Sequence, residues 1–178
     1  MAIDETRAFT PINIAVLTVS DTRTEADDTS GDILAQRVTG AGHTLAARTI
    51  CKDDAALLAE QFEAWIDDPD VDAVVSTGGT GLTGRDVTPE ALSRIEGARD
   101  IPGFGELFRW LSYQSIGTST VQSRACAIVA RGTYIFALPG SNGAVKDGWD
   151  GILAEQLDSR NRPCNFVELM PRLQERKG

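Results

Sequence analysis

Histidine is nearly missing from this chain: His43 is the one histidine in 178 residues. It sits in GAGHT, a turn signal, which argues against a histidine-based triad and against a multi-histidine metal site. Acid–base or metal chemistry must therefore rest on carboxylates, hydroxyls and amides. Cysteine is scarce too. Cys51, Cys126 and Cys164 form no C-x-x-C pair, and an odd, widely spaced set makes a poor disulfide framework. A reducing, cytoplasmic setting is the expectation. No run approaches the roughly 18 apolar residues of a membrane span. The segment MAIDETRAFTP lacks a basic stretch followed by an apolar one, so no secretory signal is expected. Positive charge is in deficit: 17 Lys and Arg stand against 26 Asp and Glu, a net charge of −9. That argues against a general nucleic-acid or anionic-membrane binder, because no cationic surplus neutralises phosphates. It leaves room for a small phosphorylated ligand held by backbone N–H groups and a metal ion.

What is present is an ordinary globular composition, 42% hydrophobic and 24% charged. One domain is expected over 1–178, with its core at about 12–173. A domain of this size buries about 70% of its unfolded surface and needs no staples. INIAVLTVS (12–20) and VDAVVST (71–77) read as strands buried on both faces. TLAARTI (44–50) reads as another strand, and ACAIVA and YIFALP as two more around an Arg131-Gly132-Thr133 turn. Helices are expected over DILAQRVTGAG, 53–68, from Thr88 onward, 103–117 and 143–157, with Asp53 and Thr88 as N-caps. The tail NRPCNFVELMPRLQERKG reads as irregular. Alternating strands and helices predict a three-layer α/β/α sandwich with a mostly parallel sheet and one antiparallel edge hairpin. In such folds ligands bind beyond the carboxyl ends of the strands. VSDTRT, CKDD, STGGTG and LPGSNG all fall there.

STGGTGLTGRDVTPEAL (76–92) is the richest of these segments. A P-loop would need Gly-Lys-Ser/Thr at its end, and here Gly84 is followed by Arg85-Asp86. A dinucleotide fingerprint belongs to the first strand–helix turn, with an acidic strand end about 20 residues on. These glycines follow the third strand, and GARDIPGFG lies where the acid should be. An isolated pair of glycines would read as a simple turn, but four in seven residues, interleaved with Thr77, Thr80 and Thr83, make a richer surface that reads as an anion nest, with the following helix N-terminus adding donors. Asp86 reads either as a loop residue satisfying local N–H groups or as a Mg²⁺ ligand, and spacing does not decide. Pro139-Gly140-Ser141-Asn142-Gly143 poses the same choice between a capped turn and a second anion site.

VLTVSDTRTEADDTSG, STGGTGLTGRDVTPEA, GTSTVQSRA, IFALPGSNGAV and QLDSRNRPCNF occur in that order. Together they closely resemble the molybdopterin-binding family of molybdenum cofactor biosynthesis proteins, from about Ile12 to about Leu173. The late RPCNF favours the B type over its sister adenylyltransferase. The resemblance implies a three-layer α/β sandwich that binds molybdopterin, a pterin carrying a dithiolene and a terminal phosphate. Active members use MgATP to adenylylate that phosphate, releasing pyrophosphate, and assemble as trimers or hexamers. It implies that Thr77, Gly78, Gly79, Thr80 and Gly81, with Thr88 closing the motif, form the nucleotide and pterin-phosphate loop. Asp86 and Asp53 match carboxylates implicated in catalysis and Mg²⁺ binding. Ser20 and Asp21, Ser123 with Arg124, and Pro139, Gly140 and Ser141 match further binding positions. Ser141 departs from the sister group, which commonly has Asn there. Two activities are compatible with these residues: adenylylation of molybdopterin, or binding and transfer of molybdopterin or a precursor without chemistry.

Overall fold

The computed structural model describes residues 3–175. Six strands form one sheet in the order β2-β1-β3-β6-β5-β4. β1 (Asn13–Val19), β2 (Thr44–Cys51), β3 (Ala73–Thr77) and β6 (Thr133–Leu138) run parallel. β5 (Cys126–Ala130) pairs antiparallel with β6, and the two-residue β4 (Arg99–Asp100) pairs antiparallel with β5. The mostly parallel sandwich is as expected, with β4 as an antiparallel strand beyond the hairpin. Arg131 and Gly132 both have positive φ, 49° and 105°, which closes the β5–β6 hairpin in the twist that two-residue loops favour.

The central strands are mostly apolar and carry no charge because both their faces are covered. Ile14 and Val16 of β1 face a core shared with α1 (Thr29–Gly40), α4 (Pro102–Ile116) and α5 (Asn142–Gly148). Leu17 and Val19 face the opposite core, filled by Leu58 and Phe62 of α2 (Ala55–Ile66) and Leu92 of α3 (Thr88–Leu92). The period of two along β1 thus assigns alternate residues to two helical layers.

Helix ends differ from the sequence reading in informative ways. Asp54, not Asp53, caps α2: its side chain accepts from the N–H groups of Ala56 and Leu57 at 2.8 and 3.0 Å. Thr88 is not a cap either; it is the first helical residue of α3, and its hydroxyl donates to the Gly78 carbonyl at 3.0 Å. α1 starts earlier than expected because Asp28 caps it through Gly31 N–H at 3.0 Å. The expected helix at 143–157 is a rod of three parts: α5, a π-helical stretch at Trp149–Leu153, and α6 (Ala154–Gln156). The tail holds a short helix, α7 (Phe166–Leu169), where no element was expected. His43 is buried rather than exposed in a turn, and its Nδ1 accepts from Ile12 N–H at 3.3 Å. No helix among the described residues is long and apolar enough to cross a membrane.

Candidate functional site

The chain leaves β1 for β2 on one side and returns to β3 on the other, so the sheet has a switch point between β1 and β3. Loops diverge there and open a crevice at the carboxyl ends of the strands. β6 is parallel to β3, so Pro139-Gly140 reaches the same rim. β5 runs the other way, which brings the residues before it, Ser123 and Arg124, to that rim as well.

The glycine loop is built by close approach. Gly78 (φ 109°) donates its N–H to the Leu138 carbonyl at 2.9 Å, tying the ends of β3 and β6 together. Gly79 (φ 65°) leaves no room for a side chain: a Cβ there would sit 2.4 Å from Thr88 Oγ1 and 2.9 Å from Asp53 Oδ1. Arg124 braces the far side of the loop. Its Nε donates to the Gly81 carbonyl at 2.7 Å, one Nη donates to the Asp86 carbonyl at 2.6 Å, and the other pairs with Glu90. Arg23 braces the neighbouring loop, donating to the Gly140 carbonyl at 3.0 Å and to Ser30. Both arginines act on backbone carbonyls far away in sequence. Arg23 lay in the quoted VSDTRT, yet nothing local marked it as a brace.

Three carboxylates gather beside this loop. Asp86 lines the rim, with Oδ2 accepting from Thr83 N–H at 2.9 Å and from the Thr83 hydroxyl at 2.6 Å. Burial pushes its carboxyl up, but the Thr83 and Gly81 donors and nearby Arg124 outweigh this and hold it below the ordinary value. Asp53 is half-buried against Gly79. Burial, and then the negative charges of Asp21 and Asp86, push its carboxyl above the ordinary value. Asp21 pairs with Arg85 and accepts from Asp53 N–H at 3.3 Å, and the Arg85 bond holds its carboxyl low. Acids with opposed shifts brought together from separate loops are what a site that gathers negative charge looks like. Among the described residues no three His, Cys, Asp or Glu side chains converge to hold a metal ion alone. Mg²⁺ usually takes one or two carboxylates and completes its shell with phosphate oxygens and water. Asp53 and Asp86 therefore suit a cation that arrives with a phosphorylated ligand.

Two cavities meet at this loop. The rim pocket, about 450 Å³, is walled by Ser20, Arg23, Gly78, Gly79, Asp86 and Gly140, with Thr80, Gly81 and Pro139. The second, about 390 Å³, lies between α4 and α5, with Phe108, Ile116, Ser123, Ser141 and Ala144 in its walls. Thr80, Gly81 and Pro139 belong to both. The Thr80 hydroxyl is buried at that junction without a hydrogen-bond partner. Most buried hydroxyls have one, so an oxygen of a ligand crossing the junction is its natural acceptor. Of the expected site residues, Ser20, Gly78–Gly81, Asp86, Pro139 and Gly140 come together at the rim. Ser123 and Ser141 lie on the α4–α5 side, and Ser141 also caps α5 by accepting from Ala144 N–H at 3.1 Å. Thr77 and Thr88 are buried supports: the Thr77 hydroxyl donates to the Pro139 carbonyl at 3.1 Å.

The family model described as "Probable molybdopterin binding domain" matches residues 15–159, which takes in every one of these loops. The chain belongs to that molybdopterin-binding family of molybdenum cofactor biosynthesis. It is 51% identical over 158 residues to molybdenum cofactor biosynthesis protein B of Escherichia coli (strain K12), covering 89% of this chain and 92% of the relative. A crystal structure of a molybdenum cofactor biosynthesis protein B superposes with a TM-score of 0.81 at 39% identity, covering 85% of this chain and 94% of that one. The tungsten cofactor synthesizing protein MoaB from Pyrococcus furiosus superposes with a TM-score of 0.73 at 31% identity, covering 94% and 100%. Among molybdopterin-binding proteins, then, this chain carries its acids, glycine loop and two joined cavities on the family's common frame.

Proposed function

We propose that this protein adenylylates the terminal phosphate of molybdopterin, with MgATP as co-substrate. The observation that supports this best is the pair of cavities joined at Thr80: one has backbone donors and the Asp86 carboxylate, the other is largely apolar. A pterin with a phosphate tail needs both kinds of surface. A terminal phosphate oxygen of molybdopterin attacks the α-phosphorus of ATP. The bond from that phosphorus to the bridging oxygen breaks, and pyrophosphate leaves with the electron pair. The nucleophile is already ionised, so no strong general base is needed. The protein's part is positioning and charge stabilisation. Gly79, Gly81 and the Thr80 hydroxyl donate to phosphate oxygens, while Arg124 holds the loop that presents them. Asp53 and Asp86 would hold Mg²⁺, which when bound neutralises phosphate charge.

The test is to mix purified protein with molybdopterin, MgATP and pyrophosphatase and to look for AMP-linked pterin by mass spectrometry. Product from the native protein, with none from a folded Asp86→Ala variant, is the expected result. Pterin that binds but stays unmodified makes the chain a carrier instead.

We also propose a homo-oligomer, trimer or hexamer, formed through α4. Phe108 packs inward, whereas Trp110 and Tyr113 on the outer face, with Leu107 beside them, are 62%, 57% and 42% exposed. A patch this large is unusual on a monomer surface. Sedimentation should give a species larger than the monomer at micromolar concentration, and Trp110→Lys should shift it to monomer. A native protein that sediments as a monomer overturns the proposal.

A further inference from the structure

Asp28 has no exposed surface, and the proposed adenylyl transfer does not use it. It caps α1, yet its surroundings exceed what a cap requires, since one side-chain acceptor serves a helix N-terminus. Oδ1 accepts from Gly31 N–H at 3.0 Å. Oδ2 accepts from the Thr18 hydroxyl of β1 at 2.8 Å and from one Nη of Arg48, on β2, at 2.9 Å. Gly31 makes room for the group: a Cβ there would sit 2.0 Å from Oδ2. A buried charge is costly unless it is paired and hydrogen-bonded, and a neutral Asn or Ser would cap the helix as well. The charge therefore serves the arginines around it. Arg23 is the second of these. Its Nη1 lies 3.7 Å from Asp28 Oδ1 and donates to the buried Ser30 hydroxyl, while its Nη2 donates to the Gly140 carbonyl at 3.0 Å.

Arg23 also stands in the wall of the rim pocket, and among the described residues no other Lys or Arg lines that pocket or the one joined to it. A phosphate brings negative charge to a rim that already holds Asp86, in a chain with a net charge of −9. Resting on the proposal that a phosphorylated ligand occupies this rim, we infer that Asp28 is a positioning residue acting through Arg23, and that Arg23 is the cation that meets the phosphate. Ser30 and Asp28 hold one Nη and the Gly140 carbonyl holds the other, so the guanidinium is oriented before the ligand arrives. An arginine held in this way loses little further freedom on binding. Its Nε makes no hydrogen bond to the described residues, which leaves it a donor for phosphate oxygen. Arg48 shares the same carboxylate but turns elsewhere: it donates to Asp32 at 2.6 Å and lines a separate pocket beside Glu25.

The test measures binding of inorganic pyrophosphate and of orthophosphate to the full chain by calorimetry, with Mg²⁺ and without pterin. Arg23→Gln should weaken binding at least about ten-fold, the scale of a hydrogen bond to a charged group. Arg23→Lys keeps the charge without the fork and should recover part of that loss. Asp28→Asn keeps the cap, removes the charge and should weaken binding by a smaller factor. Ser30→Ala frees one Nη and leaves the cap in place, so it should act in the same direction, and it decides the matter if Asp28→Asn does not fold. Arg48→Gln strips Asp28 of its other arginine, yet should leave binding within about two-fold of native. Thermal melts check every fold. Tighter binding of pyrophosphate assigns Arg23 to a triphosphate and equal binding assigns it to a single phosphate; both support the contact. Binding of neither anion at millimolar concentration, native-like binding by Arg23→Gln, native-like binding by both Asp28→Asn and Ser30→Ala, or equal losses in Arg23→Gln and Arg48→Gln each overturns the inference. Neither anion is adenylylated here, so failure of the adenylylation reading leaves these outcomes intact.

Discussion

Asp53→Asn is expected to raise the melting temperature at pH 7 while cutting adenylyl transfer about a hundred-fold or more. The second figure is the scale on which loss of one preorganised charge-stabilising group is felt. The first follows from the titration shift. Burial comes first among the causes that lift the Asp53 carboxyl above its ordinary value of 3.8, followed by the charges of Asp21 and Asp86. An acid whose folded value is raised opposes folding at every pH above that value, because the folded state would rather keep the proton. The opposition fades as pH falls through the folded value and is gone below 3.8. Asparagine keeps the shape and removes the charge. The gain in melting temperature should therefore be largest at neutral pH and vanish in acid. Asp86 behaves in the opposite sense. Burial raises it, but donors from Thr83 and Gly81 hold it low, so Asp86→Ala should lose stability as well as turnover. Thermal scans of both variants from pH 4 to pH 7.5 decide the matter. Two variants that shift the same way would mean that the two carboxylates do not form one charged site.

The strands were legible because burial on both faces leaves little room for charge. β1 and β3 are mostly apolar with no charged residue, and each is covered on both sides. β4 is two charged residues, Arg99 and Asp100, paired with Val129 and Ile128. Only its partner strand makes it a strand, and no local pattern announces that. The helix caps were harder. Asp53 and Asp54 are adjacent and chemically identical, so the sequence could not tell which faces the helix and which faces the loop. Their environments tell them apart: Asp54 takes two backbone donors, and Asp53 is pressed against Gly79. Thr88 has every local mark of a cap, but the Gly78 carbonyl above it is the better-placed partner.

At the site, the glycine loop and its acids were visible because several unusual residues stand side by side in one segment. The supports were not. Arg124 reaches Gly81 across 43 residues, and Arg23 reaches Gly140 across 117. Asp28 meets Arg48 across 20 residues, on a different strand. An aspartate just before a helix reads as a cap alone. It acquires further meaning only when a neighbouring strand and loop supply arginines.

Gly78→Ala is expected to destabilise the fold by about 3 kcal/mol or more, through overlap and backbone strain together. Its φ of 109° lies where side chains are not tolerated. A Cβ there would stand 2.3 Å from the Val19 carbonyl oxygen, which is backbone and cannot rotate away. Neither strand can yield easily. β1 and β3 are in register from Ile14↔Ala73 to Thr18↔Thr77, directly before the clash. Gly78 is also held from two other directions, by its N–H to Leu138 and by the Thr88 hydroxyl on its carbonyl. For a domain of this size, such a loss corresponds to a fall of about 6–12 °C in melting temperature. Gly84 provides the contrast on the same loop. An added Cβ there meets nothing within 4 Å. Gly84→Ala should stay within about 0.5 kcal/mol of the native protein. Calorimetry on the two variants separates a loop whose glycines are required by packing from one whose glycines merely turn the chain. Equal effects would mean that the Val19 contact does not hold the glycine loop in place. A large loss at Gly78 alone ties that loop to the sheet itself, giving it the rigidity that the proposed charge stabilisation requires.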